Sequence, residues 1–420
     1  MGTQRRRYDP GVRSRAAPLP GKGSGVKVAF LLPVISQARF KKRIWALREL
    51  GVDPDVFAFS RDYFDEDPST KLPWRDLGRI RHGRYPQRVL TLVRAAGIVR
   101  RAVRGQEVVY AFGLDLLLVA YLAVFGRAPR PRLVYEVGDI RPIATGRGLR
   151  STLVRALERF LLRRLDVLVV TSEAFVREYF LRLLQPARLP TCVVVENKLD
   201  PQLFPSRNAA VAKAAGRLSR PVTIGYFGLL RCPRSWEILK RLAENHPDRF
   251  QIMVRGFPID PATLPDQAAN IAAVQYDGPF LWPADLSAMY SAVDLVWAVY
   301  PWDPAAWSNA RWARTNRFYE ACYFERPMIV QRGAADAADV ARHDIGLCVD
   351  LNTLDQAVAQ ILNITAAQIE QWRDNLRQLP PHIYTYTDEH DRLYRMLAGD
   401  IERSDGLVAG RPAQQPLIER

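Results

Sequence analysis

Short apolar runs recur along this chain, each followed by a polar turn and a segment with helical spacing, and that alternation leaves few architectures open. Val26–Leu32 is apolar enough for a strand buried on both faces, and Pro33 to Gln37 forms a loop after it. Ala38 to Leu50 has helical spacing with Gly51 as its stop, and Val56–Phe59 predicts a second strand. Further strands are predicted at Val108–Phe112, Arg132–Tyr135, Val167–Val170 and Cys192–Val195, with helices between them. Strands alternating with helices imply a doubly wound parallel sheet.

The pattern breaks and then restarts. Residues 198–220 hold Asp200-Pro201, Phe204-Pro205 and an Ala/Lys/Arg run that ends at Pro221, which predicts an interdomain linker. Beyond it, strands are predicted at Val222–Phe227, Phe250–Val254, Asp294–Ala298 and Met328–Val330, with helices at Ser235–Asn245 and Asp285–Ser291. A length of 420 residues accommodates two cores. The expected organisation is a disordered basic arm over 1–25, a Rossmann-like domain over 26–197, the linker, and a second such domain over 221–380. A terminal helix follows over 381–398, and a flexible tail over 399–420. Two α/β units of similar size place a ligand in the cleft that they face.

The net charge of +16 points to anionic partners. Between Arg75 and Arg104 stand nine arginines and a single acid, Asp76, interleaved with Trp74, Tyr85 and apolar residues. Such a face can rest on anionic lipid headgroups or simply be solvated. Arg155, Arg159 and Arg163 form a second stripe at four-residue spacing. Nucleic acid is not expected, because no binding motif accompanies the charge. Cys192, Cys232, Cys322 and Cys348 are scattered, which excludes a zinc or disulfide framework and fits a reducing cytoplasm. No metal site is predicted, and the five histidines lack ligand spacing. The basic N-terminus lacks the apolar core of a signal peptide, and Leu114–Phe125 is about half the length that spans a bilayer. A cytoplasmic protein, peripheral at most to the inner membrane face, is expected.

The most informative stretch runs from Tyr300 to Gln331: a Pro/Trp/Asp loop, a helix with Asn316, Arg317, Tyr319 and Glu320, and an apolar strand entered through Pro327. A loop entering a helix at the carboxyl end of a strand is an anion site. A carboxylate one turn into that helix suits the vicinal hydroxyls of a ribose, while Arg317 or Arg314 faces phosphates. Alternatively Glu320 pairs with Arg317 on a solvated face. In the turn after Phe227, Gly228 permits close backbone approach, Arg231 and Arg234 can neutralise a diphosphate, and Ser235 is a candidate N-cap. The other reading is an ordinary turn with exposed arginines. Past the strand at Arg132–Tyr135, Asp139 and then Glu136 are candidate general bases, or Asp139 shapes its own loop.

The order Asn309-x-x-Trp312-x-x-x-Asn316-Arg317-Phe318-Tyr319-Glu320-Ala321, followed by Glu325-Arg326-Pro327, resembles the donor signature of GT-B glycosyltransferases that build bacterial surface and exopolysaccharides. Ser36-Gln-Ala-Arg39-Phe40 is similar to the opening of their acceptor domain. The resemblance implies a GT-B fold and a nucleotide-sugar donor, UDP-sugar foremost, with no cofactor and no metal. It also implies a glycan acceptor, lipid-linked in this reading. It assigns Gly228, Arg231, Arg234, Asn309, Asn316, Arg317, Tyr319 and Glu320 to the donor, Glu320 to its ribose. Three positions depart from the pattern: Trp312 where many retaining members carry Glu, Leu229 at the first basic position, and Gly138 where relatives often have His. A sugar-nucleotide epimerase on the same fold, and a basic scaffold without catalysis that binds lipid or nucleic acid, are the alternatives.

Overall fold

The computed structural model describes residues 25–35, 37–60, 72–79, 85–204, 221–300, 309–400 and 407–408. The expected N-terminal arm to residue 24, most of the linker, nearly all of the tail, Ser36 and the loop 301–308 lie outside the described residues.

The first part of the chain forms β1 (Lys27–Leu32), α1 (Ala38–Glu49), β2 (Asp53–Ser60), β3 (Arg75–Arg79), α2 (Tyr85–Ala102), β4 (Val108–Phe112) and α3 (Leu114–Val124). It continues with β5 (Arg132–Val137), α4 (Pro142–Thr145), α5 (Leu149–Leu162), β6 (Val167–Val170), a π-helical segment α6 (Phe175–Leu184) and β7 (Thr191–Val194). The pattern restarts with β8 (Val222–Leu230), α7 (Pro233–Asn245), β9 (Phe250–Pro258), α8 (Leu264–Ala269), β10 (Val274–Tyr276), α9 (Leu286–Ser291) and β11 (Leu295–Trp297). Then come α10 (Asn309–Trp312), α11 (Asn316–Tyr323), β12 (Met328–Gln331), α12 (Ala335–His343) and β13 (Gly346–Val349). The last elements are α13 (Leu354–Leu362), α14 (Ala366–Gln378), α15 (Glu389–Ala398) and β14 (Leu407–Val408).

Two sheets result. One has eight strands in the order β14-β7-β6-β5-β4-β1-β2-β3, the other six in the order β10-β9-β8-β11-β12-β13. The six-stranded sheet is parallel throughout, as its βαβ connections require. Contacts gather the chain into two compact units. The first holds the described residues up to Tyr135, Leu165–Val167 and His390–Asp400; the second holds Glu136–Arg164, those from Leu168 to Glu389, and Leu407–Val408.

In the first unit an aromatic chain fills the core, with Phe30, Tyr110, Phe112 and Phe40 in successive ring contact at 5.2, 5.0 and 4.7 Å. The end of α15 is capped by Arg132, whose guanidinium donates to the carbonyls of Met396 (3.1 Å), Leu397 (2.7 Å) and Ala398 (3.1 Å). Cations belong at helix C-termini, where carbonyls lack intrahelical partners. Buried Arg43 of α1 lies 2.8 Å from His390 of α15, and burial holds that imidazole well below its usual pKa.

In the second unit alternate residues of each strand face opposite clusters. Ile224, Tyr226, Leu295, Trp297 and Ile329 pack on one side; Phe227, Val296, Ala298, Met328 and Val330 pack on the other. Burial on both faces is why these strands read as unbroken apolar runs. A buried polar group stands just before β11: Asp294 accepts the Thr223 amide at 2.9 Å and pairs with Arg373 of α14 at 3.0 Å. Both side chains of the pair are 2% exposed.

Three elements differ from the sequence reading. β3 forms from RDLGR, a segment taken only as part of a basic face, because its neighbour β2 supplies the pairing edge. α7 starts at Pro233 with Cys232 as N-cap, so Ser235 is not the cap. Proline at the first helical position loses no hydrogen bond, which moves the start forward. α15 begins at Glu389, later than the apolar spacing suggested, after a single 3₁₀ turn at Pro381–Ile383.

Replacing Arg373 with Ala leaves the buried Asp294 side chain without its cation. The second unit should lose about 3–5 kcal/mol in denaturant unfolding.

Candidate functional site

The chemistry-bearing side chains of the second unit sit on loops that follow strands or on the helices that those loops enter. β8 runs on past Phe227 to Leu230, so Gly228 near its end is a strand residue and not part of the turn. Gly228 has φ +102, a backbone that suits glycine, and open space where a Cβ would stand. It faces Gly256 across the ladder, where an added Cβ would lie 1.9 Å from the Gly228 carbonyl oxygen. Two glycines thus let β8 and β9 close up just before the turn to α7.

Arg231 leaves that turn toward Tyr300. Its Nη2 donates to the Tyr300 hydroxyl at 2.6 Å, and its guanidinium carbon lies 4.9 Å from the ring centroid. The same hydroxyl contacts Asp139 Oδ1 at 3.2 Å. Asn309, at the start of α10, donates to Asp139 Oδ1 at 2.8 Å while its own carbonyl oxygen accepts the Ile140 amide at 2.8 Å. Four residues from three separate stretches of the sequence therefore share one constellation: an arginine, a tyrosine, an amide and a carboxylate held in fixed orientation.

Glu320 lies on α11 and is 6% exposed, with Oε2 accepting the Tyr290 hydroxyl at 2.8 Å. Burial and then the Glu320 charge raise the Tyr290 hydroxyl far above its usual pKa, so it stays a donor. A carboxylate oriented in this way is suited to accepting hydroxyl groups. The helix itself is set by Thr315, whose side chain accepts the Phe318 amide at 3.1 Å. Thr315 in turn is fixed by buried Asp336, which accepts its amide at 3.1 Å and its hydroxyl at 2.8 Å.

Residues 36–197 match the glycosyl transferase 4-like domain. Over 337 residues the chain is 27% identical to the succinoglycan biosynthesis protein ExoL of Rhizobium meliloti (strain 1021), covering 79% of this chain and 79% of the relative. The structure of Anabaena HepE in complex with UDP and glucose matches with a TM-score of 0.63 at 16% identity, over 89% of this chain and 100% of that one. A sucrose-phosphate synthase from Thermosynechococcus elongatus matches with the same TM-score of 0.63 at 15% identity, over 89% and 100%. The chain has the GT-B fold and carries a glycosyl transferase 4-like domain.

The remaining candidate residues of the transferase fall in separate places. Arg234, in the first turn of α7, donates to the Leu351 carbonyl at 2.9 Å and to Asn352 at 3.3 Å, tying the loop after β13. Arg317 donates to the carbonyls of Trp297 (3.3 Å) and Val299 (2.8 Å), so it holds the end of β11. Asn316 is exposed at the helix start, and Tyr319 is fully buried in the core. Glu136 is buried within β5, whereas Asp139 lies past the strand's end. Trp312, eight positions before Glu320, is buried, and its carbonyl accepts the Ser172 hydroxyl at 2.7 Å.

Sequence reasoning missed Tyr300 and Tyr290, the partners of Asp139 and Glu320. Tyr300 opened the informative stretch but carried no pattern of its own, and Tyr290 ends a short helix as one more apolar position. Among the described residues no group of three or more His, Cys, Asp or Glu could hold a metal ion.

Burial pushes the Asp336 carboxyl up to about 6, against the opposing charge of Arg314. The folded protein therefore holds this proton more tightly than the unfolded chain. Relative to Asp336→Asn, wild type should lose stability as pH rises from about 4 through 6, by up to about 3 kcal/mol, in unfolding measured across that range.

Proposed function

We propose that the transferase moves a sugar from a UDP-sugar to a growing, lipid-linked glycan in polysaccharide synthesis, by a single displacement. In this reading Asp139 takes the proton of the acceptor hydroxyl as its oxygen attacks the anomeric carbon. The bond from that carbon to the diphosphate oxygen breaks, and the diphosphate leaves with the electron pair. Arg231 neutralises the leaving group, with Gly228 and the α7 turn approaching it closely. Glu320 accepts the ribose hydroxyls, its carboxylate oriented by Tyr290. Asn309 and Tyr300 orient the base.

The observation that carries this reading is the Arg231–Tyr300–Asp139 link, which ties the diphosphate-neutralising group to the base through one hydroxyl. Trp312 in place of a second carboxylate fits a mechanism with a single base. The polysaccharide setting is supported by likeness to a succinoglycan biosynthesis protein, and the donor class by likeness to a protein solved with UDP and glucose.

An anionic membrane face is part of the same reading. Arg100, Arg101, Arg104 and Arg127 line a cavity of about 440 Å³ at the end of α2. Among the described residues no helix is long and apolar enough to cross a membrane.

UDP should raise the melting temperature of wild type while ADP, GDP, CMP and dTDP do not, and Glu320→Gln should weaken UDP binding about tenfold or more. An equal shift with every nucleotide, or with the variant, overturns the donor assignment. Asp139→Asn should keep the UDP shift and lower turnover by about 10²–10⁴-fold; wild-type turnover in that variant removes Asp139 as the base.

A further inference from the structure

Helix α5 turns an apolar stripe toward solvent. Leu149, Leu153, Ala156 and Phe160 follow one another at spacings of four, three and four residues, which places them on a single line along the helix. All four are exposed, Leu149 at 76%, Leu153 at 62% and Phe160 at 41%. The opposite side packs inward through Ser151, Glu158, Leu161 and Leu162. A surface helix ordinarily presents charge where this one presents leucine.

Arginines flank the stripe. Arg147 and Arg150 stand exposed at the start of the helix and Arg163 at its end, with no ion-pair partner among the described residues. Arg164 lies 3.9 Å from the centroid of the Phe160 ring. The helix has one acid, Glu158, which is buried and bonded to Tyr179. From Ile140 to Leu157 there is no acid at all. An apolar line bordered by Arg147, Arg150 and Arg163, without accessible carboxylate on the helix, matches the boundary between acyl chains and anionic headgroups.

We propose that α5 docks the transferase on an anionic lipid bilayer, with Leu149, Leu153 and Phe160 inserted below the headgroups and Arg147 and Arg150 on the phosphates. This extends the reading of a lipid-linked acceptor, and its test needs neither donor nor turnover. A protein partner of the same shape would need carboxylates to answer these arginines, whereas a phosphatidylglycerol surface supplies anions everywhere.

The experiment is flotation of the full chain with vesicles of phosphatidylglycerol and phosphatidylcholine, against vesicles of phosphatidylcholine alone. Wild type should float with the anionic vesicles only, and added salt should release part of it. Leu149→Ser with Leu153→Ser should lower the partition about tenfold or more, with unchanged melting temperature and an unchanged UDP shift. Arg147→Gln with Arg150→Gln should lower it and remove most of the salt dependence. Leu149→Phe should raise it. Failure of wild type to float overturns the proposal while leaving the UDP test untouched. Loss of binding in Arg101→Gln with Arg104→Gln, but not in the leucine variant, moves the contact to α2 and overturns it. So does a wild-type dimer in lipid-free solution that the leucine variant turns into a monomer, because the stripe would then join two copies.

Discussion

The buried carboxylate of Asp294 holds the second unit in order. It lies immediately before β11, takes the Thr223 amide at the start of β8 and balances the Arg373 guanidinium of α14. β11 is only three residues long, too short to fix its own position by ladder bonds. Anchored at its start by Asp294 and at its end by Arg317, it delivers Tyr300 to Arg231 and Asp139. The geometry of the Arg231–Tyr300–Asp139 constellation is therefore supported by an ion pair in the core. Such a pair stabilises little beyond what its desolvation costs, but it penalises any other alignment of the strand.

Glu320 rests on a similar chain of supports. Asp336 orders Thr315, Thr315 caps α11, and α11 brings Glu320 to Tyr290. Fixing a carboxylate through several partly buried bonds costs conformational entropy before any ligand arrives. The orientation is then in place when a ligand binds.

The strands were legible because both faces of the sheets are buried. Val108–Phe112 and Val167–Val170 have the predicted limits, and most others match within a few residues. Short or polar strands were not legible, since RDLGR in β3 and VQY in β10 owe their form to a neighbouring edge. The positions of Asp139, Asn309 and Glu320 came from residue order, but their partners did not, because a tyrosine hydroxyl finds its acceptor only in three dimensions. The arginines were the hardest to read. Counted as surface charge, many of them instead close carbonyls: Arg100 on Ala123 and Phe125, Arg155 on Ala144 and Gly146, Arg159 on Leu184, Arg249 on Leu362. The net charge overstates the cationic surface by that share.

The cap that Arg132 places on α15 joins residues 264 to 266 positions apart. During synthesis the first unit leaves the ribosome early, yet its last helix emerges only after residues 136–389, nearly all of the second unit. Arg132 and Arg43 must wait for their partners on α15 while some 250 residues are made, at about 5–20 residues per second. The domain that begins first is completed last, and α15 acts as the latch that closes it.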